Sequence, residues 1–120
     1  HGLSYTEFEY SELKIKKDMS NNFICSYMIK NTGDTCGSEI SQCYVQPNES
    51  DNNEPIKTLQ GFDKTFLNPG ESKEIEIVLS KRNFSSWDLS KNDWDVKYKE
   101  YDILIGSSSR DIKLIERIKL

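Results

Sequence analysis

FICSYMIK, residues 23–30, carries the clearest structural pattern in the chain. One set of alternate positions in it holds Phe23, Cys25, Tyr27 and Ile29. Successive side chains of a β-strand point to opposite faces, so this set would share one buried face. Residues 31–34 (NTGD) follow, and Asn and Gly there favour the backbone angles of a turn. The pattern therefore predicts a half-buried strand that ends in a turn.

The same period of two recurs along the chain, for example in residues 74–79 (EIEIVL) and 101–106 (YDILIG). Turn residues separate such runs, as in NPGE at 68–71, where Pro presets φ and Gly accepts a positive φ. Residues 81–95 show neither a strand nor a helix period, so an irregular connection with a short helical turn is predicted there. Eight strands are predicted, at residues 8–15, 23–30, 39–45, 56–60, 62–67, 72–79, 100–106 and 111–118.

The last predicted strand has an alternative. Ile112, Ile115 and Ile118 are spaced like one face of a helix, whereas Leu114 and Ile118 continue a strand pattern. We favour the strand because residues 106–109 (GSSS) resemble a hairpin loop that returns the chain beside the preceding strand.

Strand number and chain length together indicate the fold class. Seven to eight short antiparallel strands in 120 residues are typical of an all-β sandwich, either immunoglobulin-like or fibronectin type III-like. The Cys…Trp…Cys spacing of antibody domains is missing, which favours the fibronectin type III-like variant. The length allows one domain and excludes a barrel enzyme of roughly 250 residues.

Charge and hydropathy narrow the range of partners. Sixteen basic and 20 acidic residues give a net charge of −4, whereas a nucleic-acid or anionic-membrane partner needs a basic surface. The longest nearly apolar run, residues 23–29, is far shorter than the roughly 20 residues of a membrane-spanning helix. No signal-peptide pattern occurs in the sequence, and both a cytoplasmic and a secreted parent protein fit. Neither nucleic acid nor membrane is therefore an expected partner.

The opening residues 1–6 (HGLSYT), followed by Phe8 and Tyr10, resemble a known entry motif. It is the FG(H/Y)GLSYT motif that leads into the C-terminal fibronectin type III-like domain of glycoside hydrolase family 3, the family of β-glucosidases and β-xylosidases. Further blocks similar to that domain follow in family order, at residues 30–34, 37–45, 59–64, 67–72, 84–88 and 106–111.

This resemblance implies one domain across residues 1–120, with residues 1–7 a remnant of the linker from an upstream catalytic domain. It places the Asp nucleophile and the separate acid/base upstream of His1, so this chain is expected to be a non-catalytic accessory domain. The implied partners are the upstream catalytic domains of the same polypeptide, against which the chain would pack and which it would stabilise. The alternative is a carbohydrate- or cell-wall-binding module. No cofactor is implied.

Catalysis by this chain itself would need two carboxyl groups about 5–5.5 Å apart. Glu74 with Glu76, or Asp93 with Asp95, would share a strand face, but these residues are expected to face solvent. His1 is the only histidine and is terminal, so a Ser-His-Asp or Cys-His arrangement lacks a positioned base. No metal site is predicted, since the cysteines lack a CxxC spacing.

The three cysteines are Cys25, Cys36 and Cys43. An odd number in a chain long enough to form its own core does not indicate an extracellular disulfide scaffold. Cys25 and Cys43 stand where the family commonly has aliphatic residues. They could form a disulfide or remain buried free thiols that act as small apolar groups, and we favour the free thiols.

Aromatic residues are the remaining functional candidates. Four of them are predicted to form an interdomain packing or ligand surface, because buried Trp and Tyr dominate most interfaces: Tyr5, Tyr44, Trp87 and Trp94. A sugar-stacking platform is the alternative role for Tyr44, Trp87, Trp94 and Tyr98. Tyr5 and Tyr101 are predicted to anchor the chain through hydroxyl hydrogen bonds.

Overall fold

Seven strands form two antiparallel sheets that pack face to face. The computed structural model describes residues 7–47, 57–95 and 99–119, without the side chains of residues 86–88 and 94. The strands, in chain order, are β1 (Phe8–Lys17), β2 (Phe23–Asn31), β3 (Gly37–Pro47), β4 (Thr58–Leu67), β5 (Ser72–Leu79), β6 (Ser86–Asp88), β7 (Asp93–Asp95), β8 (Glu100–Ser108) and β9 (Asp111–Lys119).

One sheet has the order β1-β2-β5 and the other has the order β4-β3-β8-β9. All pairings within both sheets are antiparallel, and β6 and β7 form a separate small hairpin. The predicted all-β sandwich is therefore confirmed, and so is the choice of a strand over a helix for the last segment. No helix among the described residues has the length or apolarity to cross a membrane.

The two strands predicted at residues 56–60 and 62–67 are one strand, β4, so that prediction was wrong. Gly61 does not end the strand, because β4 pairs with β3 on both sides of it. A bulge lies there instead, since Cys43 pairs with Gly61 while the next residue of β3 pairs with Leu59. A Cβ at Gly61 would lie 2.9 Å from Ile77 Cγ2 of the opposite sheet, so glycine serves close packing here rather than a turn.

Residues 81–95 contain the predicted helical turn, a 3-10 helix at Lys81–Phe84, followed by the β6–β7 hairpin. The helix is fastened to the core by Phe84, whose ring packs edge-on against Phe23 and Tyr101 at centroid distances of 5.5 and 5.2 Å. The Tyr101 hydroxyl also donates a 2.8 Å hydrogen bond to the Phe84 carbonyl oxygen. The anchoring role predicted for Tyr101 is thereby confirmed.

The core between the sheets is built from the alternate positions that the sequence pattern singled out. Its largest fully buried apolar side chains are Tyr27, Ile29, Leu67, Leu79, Ile103 and Ile105. Polar groups inside it are paired: Tyr27 Oη and Ser41 Oγ of the facing sheet lie 2.5 Å apart. Among the described residues, no buried side-chain nitrogen or oxygen lacks a hydrogen-bond partner.

Two core tyrosines are held protonated by their surroundings. Burial raises the pKa of Tyr27 to about 12, although its hydrogen bond with Ser41 opposes the shift. The pKa of Tyr10 is raised as well, first by burial and then by the 2.9 Å hydrogen bond that its hydroxyl donates to Glu39 Oε2. In the unfolded chain the same groups would ionise near pH 10. The folded state therefore binds more protons than the unfolded state above that pH.

Because the folded-state pKa of Tyr27 is raised, its contribution to stability is complete below about pH 10 and is lost as the pH rises toward 12. One such group adds a slope approaching about 1.4 kcal/mol per pH unit. We expect urea unfolding at a series of alkaline pH values to show a steeper loss of stability for the wild type than for Tyr27→Phe. Cys43, whose pKa is also raised, is common to both chains. If the unfolding free energy of the two chains falls equally steeply with pH, the pKa of Tyr27 is not raised in the folded chain.

Candidate functional site

The outer face of the four-stranded sheet carries a continuous row of apolar side chains. Tyr44 of β3 pairs with Leu59 of β4 on one side and with Leu104 of β8 on the other, and Leu104 pairs with Ile115 of β9. Directly opposed residues of antiparallel strands project to the same face, so the row crosses all four strands. Tyr44 and Leu104 are buried but lie outside the core cluster between the sheets. They are therefore the floor of an outward-facing surface.

Two phenylalanines of β4 extend this row along the sheet. Phe62 is 68% exposed and Phe66 is 59% exposed, and they pair with Gln42 and Ser38 of β3. Ile40 lies between those two β3 residues and is exposed as well. We call the whole set the apolar face; its members are Ile40, Tyr44, Leu59, Phe62, Phe66, Leu104 and Ile115.

The outer face of the three-stranded sheet differs in chemistry. Lys14, Ser26 and Glu76 form one row across its three strands, and Glu74 projects beside them. Val78 is its one strongly exposed apolar side chain among the described residues, at 53%. Such a surface is typical of a sheet face that water covers. Contiguous exposed apolar area, in contrast, marks a surface that another molecule or domain covers.

Charged side chains frame the apolar face at the β8–β9 end. Arg117 Nε lies 3.1 Å from Asp102 Oδ1, and Lys119 Nζ lies 3.8 Å from Glu100 Oε1. Each cation lies beside an anion, so this rim is close to neutral. Lys64 is exposed on β4 between the two phenylalanines. Its long apolar stem can lie along them while its ammonium group stays in water.

The carboxylate pairs considered for catalysis are not assembled into a site. Glu74 and Glu76 are exposed on the outer face of the other sheet, as expected. Asp93 is exposed and Asp95 accepts a 3.0 Å hydrogen bond from Lys91 Nζ. Within residues 7–47, 57–95 and 99–119, no group of His, Cys, Asp and Glu side chains could hold a metal ion.

The predicted surface aromatics fall in three places. Tyr44 lies at the centre of the apolar face, 8% exposed, and its hydroxyl is hydrogen-bonded to Gln42 Oε1. Trp87 and Trp94 are directly opposite each other in the β6–β7 hairpin, but their side chains are not described. Tyr5 and Tyr98 lie outside the described residues. The structure therefore gives a position to Tyr44 and leaves the roles of the other four as predictions.

Sequence reasoning missed the exposed members of the apolar face, such as Leu59, Phe62 and Ile115. A partial signal exists, because adjacent apolar residues in a strand must point to opposite faces, as Phe66 and Leu67 do. One of each such pair must therefore face outward.

The cysteine and loop predictions can also be compared with the structure. Cys25 and Cys43 are buried free thiols, as favoured, and Cys36 is exposed. The connection between β8 and β9 is only residues 109–110, shorter than the loop predicted at residues 106–109, because β8 continues to Ser108; beside it, Ser107 Oγ donates a 2.7 Å hydrogen bond to Asp111 Oδ2. This hydrogen bond and the neighbouring Lys113 lower the pKa of Asp111. This turn returns the chain beside the preceding strand, as the sequence predicted.

Comparisons with known proteins agree with the resemblance seen in the sequence. The fibronectin type III-like domain family matches residues 39–109. Thermostable β-glucosidase B of Acetivibrio thermocellus is 48% identical over 100% of this chain, and an exo-α-(1→6)-L-arabinopyranosidase of Bifidobacterium breve is 41% identical over 93% of it. The crystal structure of a Bifidobacterium adolescentis family 3 β-glucosidase superposes on the whole chain with a TM-score of 0.88 and 37% identity.

The chain spans only a small part of these proteins. It corresponds to 16% of the Acetivibrio thermocellus protein, 15% of the Bifidobacterium breve protein and 18% of the Bifidobacterium adolescentis chain. A domain that matches so small a part of an enzyme agrees with the expectation that this chain is not the catalytic part. The chain belongs to the fibronectin type III-like domain family, in the form carried by family 3 β-glucosidases.

Proposed function

We propose that this chain is a non-catalytic accessory domain of a family 3 glycoside hydrolase, and that its apolar face packs against the upstream catalytic domains of the same polypeptide and stabilises them. The observation that carries the proposal is the contrast between the two outer sheet faces. One of them exposes Leu59, Phe62, Phe66 and Ile115, while the other exposes mainly charged and polar groups.

The size of the relatives supports the catalytic domains of the same polypeptide as the occupant of this face. The chain accounts for less than a fifth of each of the three proteins compared above, so most of such a polypeptide is available to cover the face. Four strands spaced about 4.8 Å apart, over about eight residues of about 3.4 Å each, present on the order of 500 Å². Interfaces between domains of one chain bury roughly 600–1,500 Å² in total, counting both sides. The apolar face therefore has the area of one side of such an interface.

A matched pair of substitutions tests this proposal. Phe62 lies on edge strand β4 in the apolar face, and Val78 lies on edge strand β5 on the opposite outer surface. Both side chains are more than half exposed, so Phe62→Asp and Val78→Asp should each change the stability of the isolated 120-residue chain by a similar small amount. In the full-length polypeptide, Phe62→Asp should lower Tm by roughly 2–4 °C, because it places a charge inside an apolar interface.

Val78→Asp is the control for this test, because it changes an exposed apolar residue on the opposite outer surface. Val78→Asp should leave the Tm of the full-length polypeptide within about 1 °C of the value expected from its effect on the isolated chain. Differential scanning calorimetry of both forms measures these shifts. If the two substitutions shift the full-length Tm equally, the apolar face is not the packing surface.

Carbohydrate binding is the second candidate, and Phe62 and Phe66 are the observation in its favour. Exposed rings four residues apart on one strand face lie about 13 Å from each other, and flat rings can cover the apolar faces of sugars. Titration of the isolated chain with cello- and xylo-oligosaccharides, followed by tryptophan fluorescence and calorimetry, distinguishes the two candidates. A response that Phe62→Asp abolishes would favour a sugar-binding surface, whereas no response at millimolar ligand would exclude it.

A further inference from the structure

Cys25 and Cys43 lie opposite each other across the interior of the sandwich. Cys25 is in β2 of the three-stranded sheet, where it pairs with Ile77, and Cys43 is in β3 of the four-stranded sheet, where it pairs with Gly61. The Ile77 side chain fills the space that a side chain at Gly61 would occupy, so these two rows are stacked directly on one another. The two cysteine side chains therefore meet in the middle of the core.

The burial of this pair is complete. Both cysteines are 0% exposed, and both belong to the core cluster between the sheets. The neighbouring Cys25 thiol and burial together raise the pKa of Cys43. Cys36, the third cysteine, is exposed and lies outside the core cluster.

We propose that Cys25 and Cys43 are a disulfide-forming site that links the two sheets, and that a low-molecular-weight disulfide oxidises them while the chain folds. In the first step, the thiolate of one cysteine attacks the disulfide, which gives a mixed disulfide and releases one thiolate. In the second step, the other cysteine attacks the protein sulfur of the mixed disulfide and releases a second thiol. The balance is two protein thiols and one small disulfide converted to one protein disulfide and two small thiols.

The disulfide is expected to form during folding because an oxidant can reach the two thiols, and the Cys43 thiol can ionise, only before the core closes. Thiolates, not thiols, attack disulfides, and the raised pKa of Cys43 keeps this thiol protonated in the folded chain. A dissolved disulfide also has no path to either sulfur in the folded core, because both residues have no exposed surface. During folding both thiols are solvated and ionise normally, so the bond forms before the sheets close over it.

The experiment uses the 120-residue chain with Cys36→Ser, which leaves only the core pair. It is refolded from denaturant with glutathione and glutathione disulfide, then mapped by non-reducing peptide mass spectrometry. We expect a peptide linked through Cys25 and Cys43, a mass loss of about 2 Da, and a Tm roughly 5–10 °C above that of the reduced chain, reversed by dithiothreitol. Refolding that leaves both thiols free, or a linked form with a lower Tm than the reduced form, would overturn the proposal.

A second arm uses the folded wild-type chain. Glutathione disulfide added to it should modify Cys36 at least tenfold faster than it oxidises the core pair. Oxidation of the pair at the rate of Cys36 would contradict folding-coupled formation. Cys43→Val in the Cys36→Ser background is the matched control, since Val is similar in size and cannot bond; it should show no Tm response to the oxidant. The peptide map of the Cys36→Ser chain decides the outcome even if Cys43→Val does not fold.

Discussion

Gly106→Ala is expected to destabilise the chain by about 3–5 kcal/mol, although it adds only one methyl group. Gly106 lies in β8, where the register against β9 shifts on either side of it. A Cβ at this position would lie 2.3 Å from the carbonyl oxygen of Asp111 and 2.9 Å from the Cα of Ile112. Both atoms belong to the backbone of the paired strand, so no side chain can rotate away. The β8–β9 pairing must open locally to admit the methyl group.

The other two glycines with defined surroundings provide graded controls. Gly61→Ala brings Cβ to 2.9 Å from Ile77 Cγ2, the end of a side chain that can shift, so a loss of about 1–3 kcal/mol is expected. Gly70→Ala meets nothing within 4 Å, and only its φ of +78° makes it unfavourable, by about 1 kcal/mol. Urea unfolding of the three variants should show the largest loss of unfolding free energy for Gly106→Ala, a smaller loss for Gly61→Ala and the smallest for Gly70→Ala. A loss below about 1 kcal/mol for Gly106→Ala would show that the two strands adjust without cost.

The buried faces of the strands were predictable, because the alternation of apolar residues within a strand shows which side chains share a face. Cys25, Tyr27 and Ile29 follow one another at intervals of two and are all within the core. The one wrong strand division, at Gly61, had a physical reason. Glycine is the usual turn residue, and sequence alone does not show that a side chain from the other sheet needs the space it leaves.

The apolar face was only partly predictable. Adjacent apolar residues indicate that one of them faces outward, but Val78 and Leu79 on the other sheet show this pattern as well. What distinguishes the two surfaces is the pairing register, which places Leu59, Tyr44 and Leu104 in one row. Register depends on contacts between residues distant in the chain, so it appears only in the folded structure. Tyr44 was found because its residue type is common at interfaces.

Asn31→Ala is expected to cost about 3–5 kcal/mol, a large part of the roughly 5–15 kcal/mol by which such domains are stable. Asn31 is the last residue of β2 and has no exposed surface. Its Nδ2 donates to the carbonyl oxygens of Thr35 and Leu67 at 2.9 and 3.0 Å, and its Oδ1 accepts from the amide of Gly33 at 2.9 Å. One amide side chain therefore joins the end of β2, the following turn and the end of β4. Alanine would leave two acceptors and one donor of the backbone without these partners.

Asn68→Ala is the matched control, because Asn68 also lies in a turn but is exposed, with a 3.4 Å side-chain contact to Glu71 Oε1. It should cost less than about 1 kcal/mol. Asn31→Asp separates hydrogen bonding from volume: it keeps the acceptor for Gly33 but replaces the donor with an oxygen facing two carbonyl groups, so it should be at least as destabilising as alanine. Urea unfolding of the three variants measures the differences. If Asn31→Ala and Asn68→Ala cost the same, water satisfies the freed backbone groups and the side chain does not hold the two sheets together.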